Sequence, residues 1–304
     1  MSALWVWCAI AAAAGQTLRN ALQRSLTETV GTVAATHVRF LYGLPFACAF
    51  LALVAGSGAI VAPRFTVAFW LWLTLGALTQ ILATAMTLAL MRQRSFLIST
   101  AYIKTEPVQI ALFGFVFLGD RLPAAGLTGV LVATAGVLLM SWPRAAVAGA
   151  ATSARDGLWH AALLGIATGA MFAVSVVGYR GAILALGEDP FYGRATLSLT
   201  LALLIQTVVL SLWLRLREPG RLTELARAWR PSVLAGLIGA CASQCWFLAF
   251  SLQTAAAVRT VGLIEVVFAA LISRRVFDQR SSAREWAGIL LTVTGVALLL
   301  VTSA

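Results

Sequence analysis

Residues 101–142 occur twice in this chain. Ala101–Trp142 aligns without a gap on Thr260–Val301, 159 positions later. Eleven of the 42 aligned pairs are identical, among them Glu106 with Glu265, Arg121 with Arg280, Gly129 with Gly288 and Gly136 with Gly295. A duplicated stretch limits the chain to folds in which two equivalent pieces can pack. Each copy also sets one glutamate about halfway along an apolar run. A charge at that depth of a bilayer costs about 2.5–3.5 kcal/mol on insertion scales, so a carboxylate kept there is a candidate functional group.

The apolar runs fill most of the sequence. Of 304 residues, 61% are hydrophobic and 11% charged, against about 25% charged in soluble domains. Too little polar surface remains to cover a soluble globule of this length, so the chain reads as an integral membrane protein. Ten segments approach the roughly 20 residues that cross a bilayer as a helix. They are Leu4–Leu22, Gly31–Ala55, Thr66–Met91, Phe96–Leu118, Ala124–Met140, Leu158–Tyr179, Pro190–Leu214, Ser232–Leu252, Ala255–Val276 and Ala283–Val301. The expected fold is an all-α membrane protein of ten transmembrane helices, built as two inverted five-helix repeats over residues 1–143 and 155–304. The halves also match at Leu4-Trp5 against Leu158-Trp159, and at Arg39 in HVRFLYG against Arg194 in YGRATLS. Five is odd, so the second half enters the membrane the other way up. Inverted repeats place their site near the midplane.

The formal net charge is +11, and 21 of the 22 basic residues are arginine. These arginines lie singly or in pairs near helix ends, which argues for membrane loops and against nucleic acid as a partner. In the first half, Arg24, Arg92, Arg94, Arg144 and Arg155 follow odd-numbered segments, while Arg64 and Arg121 follow even-numbered ones. In the second half nine arginines, from Arg215 to Arg284, again follow odd-numbered segments. Cytoplasmic loops carry the excess of basic residues. Both termini are therefore expected outside a cell membrane of bacterial inner-membrane type. The first run shows no small-residue cleavage pattern and is expected to stay as a helix. In REPGRLTELARAWRP, Leu222, Leu225 and Trp229 recur at helical spacing between charged residues, the pattern of a short helix lying in the interface.

No glycine-rich phosphate loop, HExxH or GxSxG is present, so an enzyme is not expected. Cys8, Cys48, Cys241 and Cys245 all lie inside apolar runs, far in sequence from His37 and His160. They read as small hydrophobes; no metal site or cofactor is expected. What remains is a set of polar residues at membrane depth. Pro107 follows Glu106 and lacks an N–H, which frees the carbonyl of Ile103 and favours a kink. Tyr102, Lys104 and Gln109 lie beside it. Glu265 is followed by Val266 and is the weaker candidate for that reason. A carboxylate buried at this depth disfavours its own charge unless Lys104 or an arginine such as Arg259 pairs with it. Arg259 reads equally as an interfacial anchor, and Arg19 as a group reaching the interface. Gln16, Gln80 and Gln244 taken singly read as interhelical hydrogen bonds, worth about 0.6 kcal/mol each. Taken with Glu106, Lys104, Glu265, Arg39, Tyr102 and Trp246, they point to a polar substrate cavity.

The order of these features resembles the drug/metabolite transporter superfamily, EamA family. The residues that carry it are Glu106-Pro107-Val108, Phe117-Leu118-Gly119-Asp120-Arg121, Gly129 and Gly136-Val137. The second copy holds Glu265-Val266, Phe277-Asp278-Gln279-Arg280, Gly288 and Gly295-Val296. Arg39 is similar to the family's second-helix arginine. The resemblance implies secondary transport of a small organic metabolite by alternating access, with export of an amino acid or related zwitterion as the leading expectation. Uptake of an aromatic vitamin-like compound and flipping of a lipid headgroup are the alternatives. The implied partners are a small-molecule substrate and the lipid bilayer, with protons as candidate coupling ion, in a monomer or homodimer. Val266 departs from the proline expected there, and family members often keep their termini in the cytoplasm, where the arginine count argues the reverse.

Overall fold

A computed structural model describes residues 3–30, 32–60, 63–91, 102–141, 152–227, 229–267 and 283–303. In lipid every backbone polar group must be satisfied within its own segment, which leaves the apolar runs the helix as their solution. The helices are α1 (Leu4–Val30), α2 (Thr32–Leu41), α3 (Leu44–Gly56), α4 (Val67–Met91), α5 (Glu106–Leu118), α6 (Ala124–Ser141), α7 (Thr152–Ala185), α8 (Phe191–Arg217), α9 (Pro219–Arg227), α10 (Trp229–Leu252), α11 (Ala255–Gly262) and α12 (Ala283–Ser303).

Among the described residues, six helical spans are long and apolar enough to cross a membrane: Thr36–Gly56, Val67–Leu90, Ala162–Ala185, Phe191–Arg217, Ser232–Leu252 and Ala283–Thr302. The chain is thus membrane-embedded and multi-pass. The other four expected segments are helical over most of their described residues but fall short. α1 carries Gln16, Thr17, Arg19 and Asn20 and is too polar, while α5 and α6 are apolar but shorter. α11 ends at Gly262, and the rest of the ninth segment beyond Val267 lies outside the described residues, as do Arg92, Arg94, Arg144, Arg274, Arg275 and the Phe277–Arg280 motif.

Two of the helices have definite stops. The second segment is split at Tyr42-Gly43, where Pro45 enters the first turn of α3 and a Cβ on Gly43 would lie 2.6 Å from the Arg39 carbonyl oxygen. α5 closes on Gly119, whose φ of 67° is left-handed and whose N–H returns to the Gly114 carbonyl, a conformation that favours glycine.

The chain divides into two compact units, Met1–Leu88 with Val174–Thr254, and Ala89–Ala173 with Ala255–Ala304. These are not the sequence halves. The first unit collects the first three segments with the seventh and eighth, and α7 enters it only at Val174; the second collects the fourth, fifth, ninth and tenth with residues 158–173 of the sixth.

In the first unit α4 and α7 run antiparallel at very close range. A Cβ on Gly181 would meet the Trp72 ring at 2.8 Å, and one on Gly178 would meet Gly76 Cα at 2.9 Å. α1 packs on α10, where Gly15 faces Ala242. In the second unit α6 and α12 are antiparallel and equally close. A Cβ on Gly129 would lie 2.7 Å from the Gly295 carbonyl oxygen, and one on Gly136 would lie 2.7 Å from that of Gly288. The aligned glycines therefore exchange partners, and Thr292 Oγ1 reaches the carbonyl of Ala133, its own aligned position, at 3.5 Å.

Small residues at such crossings let backbones approach and gain dispersion contacts that lipid cannot replace. At Gly136 a methyl would meet the backbone nitrogen of Thr292 at 2.5 Å, so overpacking of about 1–3 kcal/mol is expected. Gly136→Ala should lower the melting temperature of the detergent-purified protein, read by size-exclusion after heating. Gly56→Ala, where nothing lies within 4 Å, should leave it unchanged.

Candidate functional site

The two repeat glutamates sit at interruptions of their helices. Residues 102–103 are helical, Lys104 and Thr105 form a turn, and α5 starts at Glu106. The turn is tight: the Thr105 N–H and hydroxyl both donate to the Tyr102 carbonyl, at 3.1 and 2.7 Å. The second copy breaks at the aligned place. α11 ends at Gly262, Leu263 N–H donates to the Thr260 carbonyl at 3.1 Å, Val266 N–H donates to that of Leu263 at 3.0 Å, and helix resumes over 264–267. The sequence reading ties the break to Pro107 and ranks Glu265 lower for lack of a proline. The structure breaks both helices. Gly262 and the β-branched Ile264, Val266 and Val267 weaken the helix there without one.

At these breaks the four charges pair reciprocally. Glu106, the first residue of α5 and 4% exposed, accepts from Arg259 Nη2 at 2.8 Å through Oε2. Lys104 Nζ donates to Glu265 Oε1. Each glutamate thus takes its cation from the other copy. Arg259 is an ion-pair partner rather than an interfacial anchor. The start of α5 adds the positive end of a helix dipole to Glu106.

Glu106 Oε1 is buried and accepts no hydrogen bond among the described residues, and Gln109 Oε1 is in the same state. Gln109, one turn along α5, donates from Nε2 to Thr105 Oγ1 at 3.0 Å and to the Ile166 carbonyl at 3.4 Å. The carbonyl of Ile103, freed by Pro107, is covered by α7: a Cβ on Gly169 would lie 3.2 Å from it.

The remaining candidates lie in the first unit. With the Gln80 amide oriented to suit its neighbours, its oxygen accepts from Arg39 at 3.1 and 3.2 Å and its nitrogen donates to Ser175 Oγ at 2.7 Å. Gln206 Nε2 donates to Tyr179 Oη at 2.8 Å and to the Ala77 carbonyl at 3.3 Å. Trp246 Nε1 donates to Gln16 Oε1 at 3.2 Å, and its ring stacks on Phe250 at 5.9 Å. Gln244 Nε2 donates to Thr196 Oγ1 at 2.7 Å. Arg19 is buried within the protein. It is 5% exposed, and its stem packs against Gly239 of α10 beside that of Arg39.

The candidates therefore fall into two groups. Lys104, Glu106 and Glu265 meet in the second unit, where Tyr102 contributes its carbonyl to the turn. Gln16, Arg39, Gln80, Gln244 and Trp246 lie in the first. Sequence reasoning missed Ser175, Tyr179 and Gln206; the available signal was the i, i+4 spacing of Ser175 and Tyr179, which puts both on one face of α7. Among the described residues no three His, Cys, Asp or Glu side chains converge as a metal site would require.

No protein-family model matches the chain, and no curated protein is similar to it in sequence. Solved structures do match: one, described only as the crystal structure of a protein, superposes with a TM-score of 0.69 at 18% identity, covering 97% of this chain and 94% of its own. At that identity the likeness concerns the fold.

Removing one partner from a buried ion pair leaves a charge uncompensated, at about 3–5 kcal/mol. Arg259→Met should therefore sharply lower thermal stability in detergent. The double variant Arg259→Met with Glu106→Gln should recover most of the loss, because neither charge then remains.

Proposed function

We propose that the chain is a secondary transporter of a small organic metabolite, working by alternating access in the manner of the EamA family it resembles. The observation that carries this reading is the reciprocal set of ion pairs at two interrupted helices, with a buried glutamate oxygen left over. Structural stability alone does not call for charges at this depth, and discontinuous helices are where transporters bind solutes and coupling ions. The ten segments are read as inverted repeats over 1–143 and 155–304. The exchange of aligned glycines across α6 and α12 supports that arrangement, since a two-fold axis makes position i meet j' whenever j meets i'.

Glu106 is the leading functional residue, as a substrate contact or proton carrier, with Lys104, Arg259 and Glu265 around it. Two acids and two bases together are neutral. A substrate without net charge, such as an amino acid or related zwitterion, fits such a set, because it adds no uncompensated charge to a low-dielectric interior. Export of that solute across a bacterial inner membrane is the direction the resemblance favours.

Purified protein in liposomes should move an amino acid or related zwitterion down its gradient. Glu106→Gln keeps shape and removes charge; it should reduce transport at least tenfold or erase its pH dependence, with expression largely intact. Normal transport with an unchanged pH profile would make Glu106 a bundle-holding residue. For orientation, both termini are expected outside. A C-terminal fluorescent protein that matures only in the cytoplasm should stay dark, and an alkaline phosphatase fusion should be active.

A further inference from the structure

The end of the first unit where α8 stops and α10 starts carries a charge pattern that transport does not use. Residues 215–230 hold five arginines and two glutamates, a net of 5 − 2 = +3. Both acids belong to one of the five: Arg221 donates to Glu218 at 3.2 Å and to Glu224 at 2.8 Å. Arg215, Arg217, Arg227 and Arg230 are all exposed, and none makes an ion pair among the described residues.

These four are held on a fixed frame. α9 is pinned by Leu225, which is fully buried, and by the Tyr42 hydroxyl, which donates to the Leu225 carbonyl at 2.9 Å. Arg227 lies two residues past that anchor, about 200° around the helix, and so points away from the protein. Arg230 lies over the Trp229 ring, 5.6 Å from its centroid. The stretch runs from the last turn of the span Phe191–Arg217 to the start of the span Ser232–Leu252, which puts it at the level where a bilayer gives way to headgroups. Next to these arginines in sequence, Leu216 is 72% exposed, Trp229 52% and Trp213 41%.

We propose that this surface is a binding site for an anionic phospholipid of the adjoining leaflet. Headgroup phosphates of neighbouring lipids take the four arginines, with Arg215 and Arg217, about 200° apart on α8, meeting different lipids, and the acyl chains lie along Trp213, Leu216 and Trp229. Guanidinium forks match phosphate oxygens in pairs. Interfacial tryptophans suit the boundary between headgroup and chain. Four basic groups beside a span meet the threshold at which anionic lipid is preferred, at about fivefold in affinity for each. A zwitterionic lipid brings its own cation and gains little from this set. The four arginines belong to the first unit and take no part in the ion pairs of the second.

The test uses the full-length protein, stripped of lipid in a neutral detergent and titrated with phosphatidylglycerol or phosphatidylcholine, with bound lipid counted by native mass spectrometry. Phosphatidylglycerol should bind at least tenfold more tightly, and the preference should shrink as salt rises. Replacing all four arginines by glutamine (R215Q, R217Q, R227Q, R230Q) should abolish the preference, while Arg121→Gln, an exposed arginine of the other unit, should keep it. If the fourfold variant fails to fold, the pair Arg217→Gln and Arg230→Gln carries the same comparison, with an expected loss of about 25-fold. Equal binding of the two lipids, or a preference that survives these variants, overturns the proposal.

Discussion

A charge held away from water must find an opposite charge, and in this protein each repeat glutamate finds it on the other copy. Glu106 takes Arg259, and Glu265 takes Lys104. This requirement ties α5 to α11 more firmly than apolar contact can, because lipid tails replace a leucine contact at little cost and cannot replace a guanidinium. It also explains why the helices are interrupted where they are. The turn at Lys104 and Thr105 lets lysine and glutamate, two residues apart, both meet charges of the other copy. On an unbroken helix the two would not share a neighbour.

The two units solve burial of polar groups differently. In the second unit the groups are ionised and paired, with one carboxylate oxygen left unsatisfied. In the first unit amides and hydroxyls dominate, as in Gln80 with Ser175, Gln206 with Tyr179 and Gln244 with Thr196. Such bonds are modest individually, and their effect is to fix which helices meet and at what height. The glycine contacts set the backdrop for both. α4 against α7 and α6 against α12 approach so closely that a single methyl would collide with backbone or ring atoms. Rigid crossings of this kind transmit displacement rather than absorb it.

Much of this was legible in the chain. Apolar runs near the length of a bilayer name the six spanning helices, since helix is the form that satisfies a backbone in lipid. The shift of 159 residues identifies Gly129 with Gly288 and Gly136 with Gly295, and these prove to be the contact points of α6 and α12. The depth of Glu106 and Glu265 marks the charged site, because charges at that depth are too costly to be incidental. Periodicity also identified α9 as a short amphipathic helix.

Partnership was not legible, because it depends on distances between residues far apart in sequence. The sequence divides at the joint between repeats, near residue 150, whereas the units divide by packing, draw segments from both repeats and part within α7 at Val174. Arg259 is six residues from Glu265 and 153 from Glu106, yet it pairs with Glu106. The break before Glu265 needed no proline, because weak helix formers at Gly262 and Ile264 suffice once a charge pair rewards the turn. Composition and periodicity determine which residues must leave water and in what form of backbone. Only the tertiary structure decides which of them meet, since a buried charge or amide is satisfied by whichever group the packing of helices brings within about 3 Å.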